Sequence, residues 1–233
     1  MRTPGRKQPA PQGDGLITSL SVRRGRADRT ILGLDGVSEV ELASVLVERA
    51  GLHTGALLTE ETRERLLRED EPYRARSRAL HILALRDRSR REVETRLRDL
   101  GFSQETIADT SAWLGSLGYL DDGRFAERYA EEKLRAGWGP RRISAELLRK
   151  GVARPLVEDA LAAEGSNAQA VVEGTEAIML LVRRRFGSQF AIDPDGAERR
   201  MAGYLARRGY DWETIGQVAR KLRAESGGEG VFP

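Results

Sequence analysis

With 233 residues, 39% of them apolar and only 6% aromatic, the chain can fill small helical cores better than one large β-rich core, and it is long enough for one elongated or two compact domains. Charged residues reach 32%, yet 39 Lys and Arg against 36 Asp and Glu leave a net charge of only +3, less than attachment to nucleic acid by bulk charge alone requires, so the placement of charge matters more than its sum. No cysteine is present, which excludes disulfides, thiolate zinc sites and cysteine nucleophiles, and two histidines, His53 and His81, do not make a histidine-rich metal site.

Residues 1–15 are rich in Pro and Gly with scattered charge, and are expected to form a disordered tail because they have almost nothing to bury. They lack the apolar stretch of a secretory signal, and no run in the chain approaches a membrane span, so the expected compartment is the cytoplasm, with no membrane partner. Residues 16–70 read as a small mixed module. Ile17, Leu20 and Val22 stand on one side of the basic segment Arg23-Arg24-Gly25-Arg26, and Ile31, Leu32 and Leu34 on the other. That pattern predicts a β-hairpin with a charged turn, followed by a second turn at Asp35-Gly36. Val40, Ala43, Val47 and Ala50 then follow helical spacing and predict a helix over Glu39–Ala50, ended by Gly51. Thr59 is the expected N-cap of a further short helix through Leu67.

From Pro72 onward the signals are helical, and they repeat. When Gly101, Gly151 and Gly209 are aligned, Leu97, Leu147 and Leu205 stand four residues before them and Val93, Ile143 and Met201 eight before. Phe102, Val152 and Tyr210 follow the glycines directly, and Ile107, Val157 and Ile215 stand six residues after them. The apolar pairs lie on one helix face, the glycine supplies the left-handed residue that ends the helix, and the next apolar residue packs back. Ser103 and Asp211 are expected to cap the following helices. Ser89 and Glu92 form a capping box, and Gly139-Pro140 places proline at a first helical position.

A further helix precedes each unit, at about Arg74–Leu85, Arg124–Ala136 and Ala168–Phe186. The expected fold is mainly α: three tandem three-helix, helix-turn-helix-like repeats at 71–122, 123–165 and 166–223, behind the β-hairpin module, with a flexible tail at 224–233. A Gly187–Pro194 loop and a Gly165-Ser166-Asn167 joint absorb the longer interval before Gly209.

No constellation for catalysis emerges. Asp121-Asp122 is an adjacent carboxylate pair, but helix capping accounts for it. The chain carries no phosphate-binding glycine loop and no nucleophile elbow. No enzyme activity, cofactor or metal is expected. The basic clusters are the better lead, and several recur in register. Arg90-Arg91, Arg141-Arg142 and Arg199-Arg200 are expected to open the second helix of each repeat. Arg149-Lys150 and Arg207-Arg208 precede their glycines. Together with Arg124 they could form a binding surface, since arginine suits bidentate pairing with carboxylate or phosphate. Trp113 and Trp212 read as packing anchors, whereas Trp138, between glycines, could face a partner.

Gly118-Tyr119-Leu120-Asp121-Asp122-Gly123-Arg124-Phe125-Ala126 resembles the G-Y-L-[DN]-D-x-x-[FY]-A signature of the RecX family. Gly137 to Val152 resembles the same family's G-x-x-[KR]-I-x-x-E-L-x-x-K-G-[IV] stretch, Ser89 to Phe102 its first repeat, and Arg200 to Val218 its closing element. The resemblance implies a curved array of three-helix repeats without catalytic residues. It also implies binding to RecA recombinase filaments, with single-stranded DNA contacted directly or within the filament, and mostly inhibition of their recombinase, ATPase and co-protease activities in recombination, repair and the SOS response; the chain is expected to act as a monomer. The alternative is a helix-turn-helix-type nucleic-acid-binding module that acts without RecA.

Overall fold

The computed structural model describes residues 13–166 and 168–227. The chain divides into two compact units. One comprises the chain up to Leu85 with Arg96–Trp113, and the other Arg86–Thr95 with the chain from Leu114.

The first unit begins with a four-stranded antiparallel sheet of order β3-β2-β1-β4. Strands β1 (Gly15–Arg23) and β2 (Arg26–Leu34) form the expected hairpin, with Arg23 opposite Arg26 at its turn. Gly25 takes φ 77° there, a left-handed value that glycine adopts at no steric cost. The helix expected over Glu39–Ala50 is corrected by the structure. Its first half is strand β3 (Ser38–Ala43), and only Ser44–Arg49 is helical, as α1. Val40 and Leu42 are both buried and alternate with Glu39 and Glu41, so pairing with β2 decides what the apolar spacing left open. The short β4 (Leu57–Leu58) closes the sheet. Ile17, Leu32, Leu34, Leu42, Leu46 and Leu58 form its core, together with Leu66 from the next helix.

That helix, α2 (Glu60–Leu85), is a second correction, because it merges the two helices expected on either side of Pro72, and residues 70 and 71 lie in its interior. Proline in a helix interior costs about 3 kcal/mol. Anchors on both sides hold the helix together: Leu66 in the sheet core and Asp70 beneath β2 before Pro72, then the buried Ala75, Ala79 and Ile82 after it. Asp70, wholly buried, takes a bidentate pair from Arg29 at 2.6 and 2.9 Å and the Ala43 N–H at 2.8 Å. In the same unit Glu71 accepts from the Ser103 N–H at 2.7 Å and from the hydroxyls of Ser103 and Thr106.

The remaining helices are α3 (Arg90–Asp99), α4 (Gln104–Ser116), α5 (Asp122–Arg135), α6 (Pro140–Arg149), α7 (Arg154–Ser166), α8 (Ala168–Ile192), α9 (Pro194–Arg207) and α10 (Trp212–Gly227). The aligned glycines end α3, α6 and α9 in the same way. Gly101, Gly151 and Gly209 have φ of 84°, 86° and 89°. Each glycine N–H returns to the carbonyl three residues back, and the next N–H to the carbonyl five back. This is the full double-bonded glycine terminus. Val93, Leu97, Ile143, Leu147, Met201 and Leu205 are all wholly buried, as the repeat requires.

Four further expectations are corrected. The expected Gly187–Pro194 loop is helical as far as Ile192, because Phe186 and Phe190, one turn apart, are both buried in the third repeat's core. Consequently α9 begins earlier relative to its glycine, and Arg199-Arg200 lie inside it rather than at its start. Of the expected 165–167 joint, Gly165 and Ser166 belong to α7, and Asn167 lies outside the described residues. Trp212 is 68% exposed rather than a packing anchor, since the buried position in the first turn of α10 falls to Ile215. The tails expected over 1–15 and 224–233 lie outside the described residues at 1–12 and 228–233, but Gly15 already opens β1 and residues 224–227 belong to α10, so both bounds are corrected.

Candidate functional site

Within the second unit, the second helices of the repeats are joined end to end. The Gly139 N–H, at the start of α6, donates to the Arg208 carbonyl at the end of α9 (2.8 Å), and the Arg141 N–H donates to the Gly209 carbonyl at 3.1 Å. One repeat earlier, the buried Ser89 hydroxyl at the start of α3 donates to the Lys150 carbonyl at the end of α6, at 2.6 Å. The carbonyl end of α9 thus meets the amide end of α6, and that of α6 meets α3. Both contacts satisfy groups that helix ends otherwise leave without partners, and they align the helix dipoles favourably. The fit is close. A Cβ on Gly139 would lie 2.2 Å from the Gly209 carbonyl carbon, one on Gly209 would lie 2.4 Å from the Arg142 nitrogen, and one on Gly151 would run into the Arg91 side chain.

Side chains reinforce the α6–α3 joint. Ser89 and Glu92 form the reciprocal capping box, at 3.1 and 3.2 Å. Glu92 also accepts from Lys150 Nζ at 2.9 Å and from Arg86 at 3.1 Å. Burial pushes the Glu92 carboxyl up, but the bonds from Lys150, the Ser89 N–H and Arg86 outweigh it and hold the group below the usual carboxylate range. The acidic pair acts as two caps. Asp121 accepts from the Arg124 N–H at 3.0 Å, capping α5, and Asp122 from the Arg90 N–H at 2.8 Å, serving α3.

The basic positions fall into two groups. Arg91 packs on Gly151, and Arg142 on Gly209 with its guanidinium 3.7 Å from the Trp138 ring centroid. Arg208 donates to the Gly137 carbonyl at 2.9 Å and to Ala136 at 3.2 Å, and Lys150 is tied to Glu92. These four hold the joints. Arg124 returns to the Gly118 carbonyl at 2.7 Å, Arg149 pairs with Glu146, and Arg200 contacts Gln189 and Asp193. Arg90 is half-buried at the α3 start. Arg141, Arg199 and Arg207 are exposed and form no ion pair among the described residues.

Alongside α6 lies a cleft of about 550 Å³, lined by Phe125, Tyr129 and Trp138 and rimmed by Lys133, Arg149 and Lys150, with Glu132 and Glu146 among them. Lys133 and Lys150 approach the Tyr129 ring to 5.2 and 5.5 Å. Sequence reasoning singled out Trp138 but missed Tyr129 as its neighbour. The signal was present in the four-residue spacing of Phe125 and Tyr129 on one face of α5. Among the described residues no group of three or more acidic or histidine side chains could hold a metal ion, and no helix is long and apolar enough to cross a membrane.

Fold and site together define a tandem three-helix-repeat protein whose repeats are keyed to one another through glycine-ended helices. The chain belongs to the RecX family. The descriptions of the first, second and third RecX three-helix domains match residues 75–114, 121–161 and 172–219. A relative named "Regulatory protein RecX" from Ectopseudomonas mendocina is 32% identical over 152 residues, covering 65% of this chain and 96% of its own. Another of that name, from Clostridium acetobutylicum, is 24% identical over 215 residues, covering 91% of this chain and 99% of its own. A crystal structure of a regulatory protein RecX, 19% identical, superposes with a TM-score of 0.64 over 88% of this chain and 99% of its own, a likeness of fold.

Proposed function

We propose that this protein is a monomeric, cytoplasmic, non-enzymatic regulator that binds RecA filaments assembled on single-stranded DNA. It restrains filament growth, ATP hydrolysis, strand exchange and the co-protease activity that triggers the SOS response. The observation that carries this reading is the register of the exposed cations. Arg91, Arg141 and Arg199 each stand ten residues before the glycine that ends their helix, and all three are exposed. In the second unit the joints hold Arg91 and Arg141 at a spacing set by direct hydrogen bonds. A repeating partner with acidic or phosphate groups suits a repeating row of guanidiniums, because each contact is weak alone and the row adds them.

The helix-turn-helix reading is less well supported. A recognition helix brings its N-terminal residues to base edges. Here the first amides of α6 are taken by α9 carbonyls, and the Arg90 amide of α3 by Asp122. The test is DNA-dependent ATP hydrolysis by the cognate RecA, titrated with this protein. Loss of hydrolysis at stoichiometric amounts is expected, and no effect there refutes the reading.

A further inference from the structure

A second basic site lies wholly within the first unit, apart from the α3, α6 and α9 joints. The β1–β2 hairpin, the middle of α2 and the turn after α3 enclose a cleft of about 890 Å³. Its walls carry the guanidiniums of Arg23, Arg26, Arg29, Arg74 and Arg78 and the His81 imidazole, against the one carboxylate of Glu41. Arg29 and Arg23 spend their charge on Glu41, and Arg29 also on Asp70 beneath the wall. Arg74 reaches Asp70 only at 3.6 Å, Arg26 bonds the Ser77 hydroxyl, and Arg78 is exposed with no ion pair among the described residues. Asp28, the other carboxylate near Arg26, stands 4.0 Å away and is itself exposed. Three guanidiniums therefore line one cleft with only long carboxylate contacts or none among the described residues, which leaves them charge to offer an anion. The floor is apolar: Leu100 is 39% exposed, and Phe102 is half-buried with Arg74 over its ring at 5.8 Å.

We infer that this cleft binds single-stranded nucleic acid, with Arg26, Arg74 and Arg78 on backbone phosphates and a base against Leu100 and Phe102. Guanidiniums fit phosphate through paired N–H donors. Cationic walls over an aromatic floor are how proteins hold strands whose bases are unstacked. A duplex offers the walls its phosphates but gives the floor nothing to cover. An acidic polypeptide would satisfy the charge and likewise leave the floor unused. The inference concerns a free strand and the first unit alone, so it stands or falls separately from the action on RecA.

The test is fluorescence anisotropy of a labelled oligothymidylate with the full chain and no RecA, at salt concentrations from roughly 50 to 200 mM. Changing Arg26→Gln and Arg78→Gln together should weaken binding about tenfold and reduce the salt slope by about 1.4, or ~0.7 for each phosphate no longer neutralised. Arg65→Gln with Arg68→Gln, exposed positions on the same unit outside the cleft, removes the same charge and should leave binding and slope nearly unchanged. Equal losses in the two double variants would overturn the site, and so would no loss in either. A duplex of the same sequence, weakened by the cleft variant as much as the single strand is, would overturn the assignment to unstacked strands. Hydrogen exchange on the unaltered protein guards against misfolding of a variant. Oligonucleotide should slow the amides of Arg23–Arg26 and Leu100–Phe102, and unchanged exchange there would also overturn the inference.

Discussion

Replacing Gly139 by alanine should loosen the third repeat from the second. At φ −81° and ψ 155° this residue has a backbone conformation that any amino acid adopts, so the substitution carries no dihedral penalty. Its whole effect comes from proximity, because the added Cβ would sit 2.2–2.4 Å from three backbone atoms of Gly209 and Tyr210, none of which can rotate away. Either the methyl is forced in, at about 1–3 kcal/mol of overpacking, or the joint opens. Opening forfeits the two inter-repeat backbone bonds, from Gly139 and Arg141, each worth about 1 kcal/mol net. The expected destabilisation is about 1–3 kcal/mol, which at about 3 °C per kcal/mol for a chain of this size lowers the melting midpoint by about 3–9 °C. Calorimetry measures the midpoint, and amide exchange at Gly139 and Arg141 locates the damage. Gly187→Ala is the matched control, since its Cβ meets nothing within 4 Å and it lies inside α8. It should gain up to about 1 kcal/mol from helix propensity. A Gly139→Ala protein within about 0.5 kcal/mol of the parent, the range of an ordinary surface change, would refute the end-to-end joint.

Two further outcomes follow from buried charge. Asp70→Ala leaves Arg29, 3% exposed, without its main partner and strips the Ala43 N–H of its acceptor, so urea unfolding should show a loss of about 3–5 kcal/mol. A loss below about 1 kcal/mol would mean the pair is solvated in solution. Glu92 is held below its ordinary range when folded, so its stabilising contribution is full above the ordinary carboxylate range and is lost as pH falls through the lowered value. Acid titration of thermal stability should therefore be flatter in Glu92→Gln than in the parent. Identical acid profiles would contradict the α6–α3 joint.

The repeats were legible because each is a local pattern, an apolar pair one turn apart with a glycine four residues on. Capping at Ser89, Ser103, Asp121 and Asp211 was legible for the same reason, each cap bonding an amide three residues away. The misreadings share a physical cause, which is a local signal overridden by burial elsewhere. Val40, Ala43 and Val47 fit a helix until β2 supplies a ladder for Val40 and Leu42. Pro72 looked like a boundary until Leu66 and Ile82 were anchored on either side of it. Gly187 looked like a loop until Phe190 entered the core.

The candidate site was legible only as composition. Nothing local tells Arg142 and Arg208, seated in a joint, from Arg141 and Arg207, exposed beside them, because the difference is made by backbone groups about seventy residues away in the chain. The arginines of the hairpin turn were visible as a cluster, but their meeting with Arg74 and Arg78 depends on where the sheet sits along α2.

On the proposed function, glycine-keyed joints present a row of exposed cations to a repeating filament. Arg141→Gln, Arg199→Gln and Arg207→Gln together remove charges that take no part in the joints. The measurement is co-sedimentation with RecA filaments on single-stranded DNA, read alongside inhibition of ATP hydrolysis. The triple variant should melt with the parent yet bind and inhibit roughly 10- to 100-fold more weakly, from three contacts of about 0.5–1 kcal/mol each. Undiminished binding and inhibition by a folded triple variant would contradict the account.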